Sequence, residues 1–377
     1  MEKRHFKSIK EDLSLLGFGC MRLPVTDKSG QDIDRAAAEK MIDRAIENGV
    51  NYFDTAWTYH NGMSEIFIGE ALKKYPREKF FLATKMPTWN AVQSTADAER
   101  IFSEQLKKCG VDYFDFYLAH ALTAEHFANF EKYEVYELLD RKKKEGKIRH
   151  LGFSFHDTPD VLRDIISSHT WDFVQLQINY FDWETNGAKE QYEIAEKNSL
   201  PVIVMEPVRG GSLASLNEKA SAILREADPG KSAASWAVRF AASLPNVLTV
   251  LSGMSTMEQV DDNLKTMNDF RPLNGDEYET IKIALSAFRT ADMVPCTGCR
   301  YCMDCPFGVD IPGNFSIFNE FCGSRNREAF DTAMKNLGES AQPDKCTRCG
   351  TCVELCPQKI NIPDELEKIS SLVHGGR

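Results

Sequence analysis

Residues 80–86 read FFLATKM, an almost unbroken apolar run with a lysine next to its end. A run this apolar suits a parallel strand buried on both faces. Seven more runs of the same kind flank it, and amphipathic segments of helical period separate them. Upstream lie LLGFGCM (15–21) and VNYFDTA (50–56). Downstream lie YFDFYLAH (113–120), IRHLGFSF (148–155), FVQLQINY (173–180), PVIVMEP (201–207) and VLTVLSG (247–253). DRAAAEKMIDRAIENG and SEIFIGEALKKY are typical spacers. Eight strands, each followed by a helix, over about 250 residues predict an α/β fold of the (β/α)8 TIM-barrel type. A doubly wound sheet is the alternative. It would usually announce a dinucleotide with G-x-G-x-x-G after a strand. GFGCMR lacks the third glycine and runs into the loop LPVTDKSG.

The alternation stops near residue 270. NGDEYETIKIALSAFRTA reads as one more helix, and a cysteine-rich region starts at Cys296. A domain boundary is expected near residue 292, with the barrel in 1–292 and a small cysteine module in 293–377. The chain of 377 residues is 42% hydrophobic and carries a formal net charge of −11. That charge gives a nucleic-acid or anionic-membrane role no support. The one basic cluster, RKKKEGKIRH, places cations at a helix C-terminus with Gly146 as its cap. The N-terminal MEKRHFKSIKEDLS lacks the apolar core of a signal peptide, and no apolar run has the length of a membrane span. A cytoplasmic location is expected. Thiols stay reduced there, so clustered cysteines point to metal or redox chemistry rather than disulfides.

Chemistry in such a barrel sits where strands end and loops begin. The second strand ends with Asp54, and Tyr59 follows in the loop. The third carries Lys85 and the fourth ends in His120. A lysine after an apolar run is unusual, because burying an unpaired ammonium is costly, and Asp54 can pair with it. An unperturbed tyrosine titrates near ~10, too high for an ideal proton donor at neutral pH. A neighbouring Lys⁺ lowers that value. His120 can bond and position a carbonyl oxygen. These four suit delivery of a proton to an oxygen while something else reduces the carbon. No serine–histidine pairing or metal-bound water is suggested here, so hydrolysis is the weaker reading.

NYFDTAWTY, ATKMP, YLAH, GKIRHLGFSFH and LSGMSTMEQVDDNL together resemble the aldo-keto reductase family, over residues 12–270. The resemblance implies a barrel that binds NAD(H) or NADP(H) without a Rossmann fold. It implies a catalytic tetrad of Asp54, Tyr59, Lys85 and His120, with Tyr59 as general acid and a small carbonyl or alcohol as substrate. It assigns Ser154 and Gln175 to the nicotinamide carboxamide. The asparagine that usually follows the serine is Phe155 here, and Met205 stands where many members stack a tyrosine on the ring. Gly253, Met254, Gln259 and Asn263 align with the adenosine-phosphate pocket, and Arg209 is within reach of the pyrophosphate. Neither Gly253 nor Gln259 supplies the cation that grips a 2′-phosphate in NADPH-selective members. Read without the resemblance, Ser154 and Gln175 are polar barrel residues that bond one another. Trp57, Trp89, Phe155, Tyr180, Phe181 and Trp183 follow strand ends and predict an aromatic mouth.

CTRCGTCVELCP (346–357) is C-x-x-C-x-x-C-x-x-x-C-P, the bacterial signature for [4Fe–4S] clusters. CTGCRYCMDCP (296–306) is a second copy, one residue tighter before its last cysteine. Both copies run on to Ile-Pro, at 311–312 and 362–363. Zinc sites favour two separated pairs of ligands rather than two triplets. Two-cluster ferredoxins are built from such a repeat with crossed fourth ligands. The resemblance therefore assigns Cys296, Cys299, Cys302 and Cys356 to one cluster, and Cys346, Cys349, Cys352 and Cys305 to the other. Cys20, Cys109 and Cys322 fall outside the pattern and read as small buried hydrophobes. An aldo-keto reductase barrel fused to a two-cluster ferredoxin-like module is a branch of the family. Hydride carries two electrons and each cluster passes one. A flavin would normally mediate, but no flavin motif is visible. Two functions compete: a nicotinamide-dependent carbonyl reductase accompanied by clusters, and an electron-transfer protein whose clusters serve a flavin or a redox partner protein. A barrel that only binds or senses fits less well with an intact tetrad.

Overall fold

The computed structural model describes residues 1–6, 8–26, 32–89, 91–288, 292–303 and 305–375. An antiparallel hairpin, β1 (Lys3–Phe6) and β2 (Ile9–Ser14), comes first. Eight parallel strands follow: β3 (Leu16–Gly19), β4 (Tyr52–Asp54), β5 (Phe81–Pro87), β6 (Phe114–Leu122), β7 (Ile148–Phe155), β8 (Phe173–Gln177), β9 (Val202–Met205) and β10 (Val247–Gly253). They close into a barrel, with β10 paired to both β9 and β3. Each of the eight apolar runs falls on one strand, with β5 and β6 running on past theirs to Pro87 and Leu122. β6 shows why they lack alternation, since all nine of its residues are buried. Several of the intervening helices start on side-chain caps. Ser94 accepts from Asp97 N before Thr95–Cys109, and Thr256 accepts from Gln259 N before Met257–Asn268. Such caps satisfy backbone donors that the first turn leaves open.

The hairpin was not legible as an element. It closes the N-terminal end of the barrel. Ile9 and Leu13 are buried in one cluster with Tyr52, Phe116, Phe173 and Leu248, which lie near the starts of their strands. Arg4 fastens it to the start of the last barrel strand by donating to Leu244 O at 2.9 Å and Val247 O at 2.7 Å. Ser14 and Asn51 bond reciprocally, at 2.8 and 3.0 Å, and Thr249 Oγ1 donates to Ser14 O at 2.8 Å.

Contacts divide the chain into two compact units. One comprises Met1–Val208 and Ala234–Leu273 and holds the hairpin and barrel strands. The other comprises Arg209–Ala233 and everything from Asn274 onward. This grouping differs from a division at residue 292. Helices Glu218–Ala227 and Gly275–Phe288 go with the cysteine-rich segment, and Asn217 Nδ2 ties them by donating to Ala287 O at 3.0 Å. The core of the second unit includes Ile311, Phe315, Phe330, Met334, Ile362 and Ile369. Among the described residues no helix is long and apolar enough to cross a membrane.

Candidate functional site

Asp54 closes β4, while Lys85 and His120 stand two residues before the ends of β5 and β6. All three are buried, and Tyr59 is 8% exposed. Tyr59 opens a turn in which His60, Asn61 and Gly62 are successively left-handed, with φ of 49°, 53° and 80°. Two non-glycine residues in that region mark a strained loop.

Lys85 Nζ donates to Asp54 Oδ1 at 2.5 Å, to Thr55 O at 2.8 Å and to Tyr59 Oη at 3.4 Å. These three bonds use all three ammonium protons, so the buried charge is paired and solvated by protein. The phenolic oxygen accepts from the ammonium and keeps its own proton to give. The His120 ring stands edge-on to the Tyr59 ring, centroids 6.0 Å apart at 79°. Burial, with Lys85 and then His156 and His126 adding, holds the His120 pKa well below the usual imidazole range. His120 is therefore a neutral hydrogen-bonding group at neutral pH. Burial pushes the Asp54 carboxyl upward, and Lys85 opposes that shift by charge and hydrogen bond.

Two supports of this site escaped the sequence reading. The first is a buried polar network behind β5. Gln105 Nε2 donates to Lys85 O at 2.9 Å and to Glu65 Oε1 at 2.7 Å, and Thr84 Oγ1 donates to the same carboxylate oxygen at 2.7 Å. The signal was present as a glutamate in the apolar helix Met63–Leu72. The second is a break in β6. Register with β7 shifts between Ala119 and Leu122, and Ala121 has φ of 54°. Ala121 N donates to Ser154 Oγ and its carbonyl accepts from His126 Nδ1, both at 2.7 Å. Nothing about an alanine in an apolar run announces this.

Ser154, Gln175 and Met205 stand on β7, β8 and β9, and Ser154 is in register with Gln175. Gln175 Nε2 donates to Met205 Sδ at 3.4 Å. Ser154 and Gln175 thus find Ala121 N and Met205 Sδ as partners, not each other. Gln175 Oε1 is buried without a hydrogen bond among the described residues, an exception in a folded interior that calls for a ligand or water. Together with the Ser154 hydroxyl proton it offers an acceptor and a donor, which is what a carboxamide needs. Gly253 ends β10 and Met254 is buried beside it. Gln259 Oε1 accepts from Ser255 N at 2.7 Å, and Asn263 Nδ2 donates to Ser252 Oγ at 2.9 Å. Arg22, which the sequence reading passed over, lies against Gly253: a Cβ there would sit 3.3 Å from its side chain. Arg22 also pairs with Glu206 at 3.7 Å. Arg209 belongs to the second compact unit, where its buried guanidinium donates to Pro295 O at 3.4 Å.

In that unit the cysteines surround two cavities. One, of about 200 Å³, is lined by Cys346, Cys349, Cys352 and Cys305, with Cys302 also in its wall. The other, smaller cavity is lined by Cys296, Cys299, Cys302 and Cys356. Each set draws its fourth cysteine from the other motif. Burial raises the Cys302 thiol pKa, and Cys299, Cys296 and Cys356 push it further up. Burial likewise takes Cys352 to about 11, with Cys346, Cys349 and Cys305 adding to the rise. Two cavities each walled by four such cysteines fit a pair of metal clusters, whose cations would stabilise the thiolates. The motif loops share a backbone pattern. Gly298 and Arg300 have φ of 63°, and their counterparts Arg348 and Gly350 have 60° and 85°. Glycine and arginine have changed places while the torsions stay. An arginine held left-handed costs about 1–2 kcal/mol. Cys20, Cys109 and Cys322 are all buried.

Barrel, polar strand-end cluster and paired cysteine cavities define a (β/α)8 oxidoreductase with an iron–sulfur module. The chain belongs to the aldo/keto reductase family: that family's model matches residues 15–286, and a model of a 4Fe-4S dicluster domain matches 295–361. An uncharacterized oxidoreductase of Bacillus subtilis (strain 168), YqkF, is 27% identical over 311 residues, covering 75% of this chain and 96% of the relative. The NADH-specific methylglyoxal reductase of Escherichia coli (strain K12) is 26% identical over 304 residues, covering 68% and 90%. Among solved structures, the holo form of aldo-keto reductase AKR11C1 from Bacillus halodurans superposes with a TM-score of 0.60 at 26% identity, covering 75% and 96%.

Proposed function

We propose that the protein reduces the carbonyl group of a small molecule, or oxidises the corresponding alcohol, with a nicotinamide cofactor at the C-terminal end of the barrel. The reading rests above all on Lys85 Nζ, which bonds both Asp54 and Tyr59 in a fully buried position. In this reading Tyr59 gives its hydroxyl proton to the carbonyl oxygen. Lys85 stabilises the phenolate left behind, and Asp54 keeps Lys85 charged and aimed. Neutral His120 donates a hydrogen bond that orients the carbonyl. Ser154 and Gln175 are proposed to fix the nicotinamide carboxamide, with Met205 packing nearby. Gly253, Met254, Gln259 and Asn263 are proposed for the adenosine end. A bound nicotinamide supplies the hydride to the carbonyl carbon. The E. coli relative's name gives NADH as its cofactor, in keeping with the missing cation at Gly253 and Gln259.

Two [4Fe–4S] clusters are proposed, one in each cysteine set. A second reading makes them electron carriers for a partner protein. It is favoured by Cys302, which lines both cavities, and by exposed Cys349 beside exposed Phe307 and Leu355. The test of the first reading is Tyr59→Phe, assayed with a panel of aldehydes and ketones. Carbonyl reduction should fall by about 10²–10⁴-fold, while nicotinamide binding, followed by fluorescence titration, stays close to wild type. Near-normal turnover in the variant removes Tyr59, and the mechanism with it.

A further inference from the structure

The segment that leads into the first cluster ligand is held from outside the cysteine motifs. Val294 is bonded in both directions by Asn319 of helix Ile311–Ser324: its N–H donates to Asn319 Oδ1 and its carbonyl accepts from Asn319 Nδ2, each at 2.8 Å. Pro295 O accepts from Arg209 at 3.4 Å. Thr297, itself buried, presses its carbonyl on Gly210 so closely that a Cβ there would lie 1.7 Å from the oxygen. That is the tightest approach to any described glycine. Gly210 also has φ of 65°, and Arg209 before it has 48°. One residue further on, Gly298 N donates to Cys296 Sγ at 3.3 Å. Thr347, the counterpart of Thr297 in the second motif, is among the nearest neighbours of no described glycine.

We propose that Arg209 and Gly210 form the seat of the cluster held by Cys296, Cys299, Cys302 and Cys356, so that this cluster and the 209–211 segment stabilise each other while the second cluster is independent of both. The inference rests on the assignment of clusters to the cysteines. Only a residue without a side chain allows the Thr297 carbonyl to lie where it does. That carbonyl fixes the backbone between Cys296 and the N–H that reaches its sulfur. Because the contact is mutual, the coupling is reciprocal. Disturbing Gly210 loosens the first cysteine loop, and emptying the cluster site frees Arg209, since a metal site rarely keeps its form without the metal.

Gly211 supplies the control. Its φ is 97°, yet a Cβ there meets nothing within 4 Å. G211A therefore carries the backbone strain without the overlap. Anaerobically prepared wild type and G211A should each hold about eight irons and eight sulfides per chain, and G210A about four, with one of the two reduced-state EPR signals lost. In the other direction, Cys296→Ser should open the Arg209–Gly210 bond to trypsin, and Cys346→Ser should leave it protected. G210A that keeps both clusters as G211A does, or trypsin cleavage after Arg209 that follows Cys346→Ser as readily as Cys296→Ser, overturns the inference. Wild type that contains zinc and no sulfide sinks the cluster assignment itself, a result distinguishable from either.

Discussion

Replacing Lys85 by methionine separates what the buried ion pair does for folding from what it does for chemistry. The substitution leaves Asp54 in a site with no solvent, and Asp54 Oδ2 already lacks a hydrogen bond among the described residues. Breaking a buried pair by removing one partner costs about 3–5 kcal/mol. Replacing both partners by apolar residues of similar size is often neutral. Lys85→Met alone should therefore lose about 3–5 kcal/mol in urea unfolding at pH 7, while Asp54→Leu/Lys85→Met returns to within about 1.5 kcal/mol of wild type. Carbonyl reduction should be absent from both. The pH dependence has a definite sign. Burial raises the Asp54 carboxyl in the folded state, and in Lys85→Met no ammonium opposes it. The folded state then holds a proton that the unfolded chain releases near ~3.9. Stability is fully present below that value and falls as pH rises through the folded value. The deficit of Lys85→Met should be larger at pH 8 than at pH 4. A single variant within about 1 kcal/mol of wild type at pH 7, or a double variant no better than the single, refutes the reasoning.

Titration should give NADH and NADPH dissociation constants within about tenfold, or ~1.4 kcal/mol, because Gly253 and Gln259 carry no charge. A far larger preference for NADPH would turn attention to Arg22, which lies against Gly253. Cys356→Ser should damage the cluster of the Cys296 triplet more than that of its own triplet, and Cys305→Ser should do the reverse. EPR of the reduced proteins reads this directly, and loss of each motif's own cluster would discard the crossed arrangement.

The barrel was legible because strands buried on both faces carry apolar residues throughout, as β6 does. Asp54, Lys85 and His120 stood out against those runs for the same reason, whereas Tyr59 lies in the loop beyond the second. The hairpin was hidden because β1 and β2 bury few residues: KRHF has none that is fully buried, and IKEDLS buries Ile9, Leu13 and Ser14. The grouping of Arg209–Ala233 with the cysteine region left no mark in composition. It rests on packing between residues distant in sequence, such as the Asn217 bond to Ala287 O and the approach of Thr297 to Gly210, and PVRGGS reads as an ordinary loop. Ala121 was opaque because its left-handed conformation is imposed by Ser154 and His126, which bond it from two different elements. The cysteine spacing, in contrast, carried its chemistry on its face.

The hairpin bears on how the chain reaches this state. Arg4 bonds carbonyls about 240 residues away in sequence. At a synthesis rate of ~5–20 residues per second, its partners leave the ribosome roughly 12–48 s after it does. Ile9 and Leu13 have no barrel floor to cover in that interval, and Arg4 has nothing to hold. The hairpin, made before every barrel strand, is thus among the last elements to be fixed. Pairing of β10 with β3 is an equally distant contact, and such contacts slow folding because the loop must close before they form. Completion of the barrel and docking of its N-terminal cover converge on the same late moment, when β10 arrives.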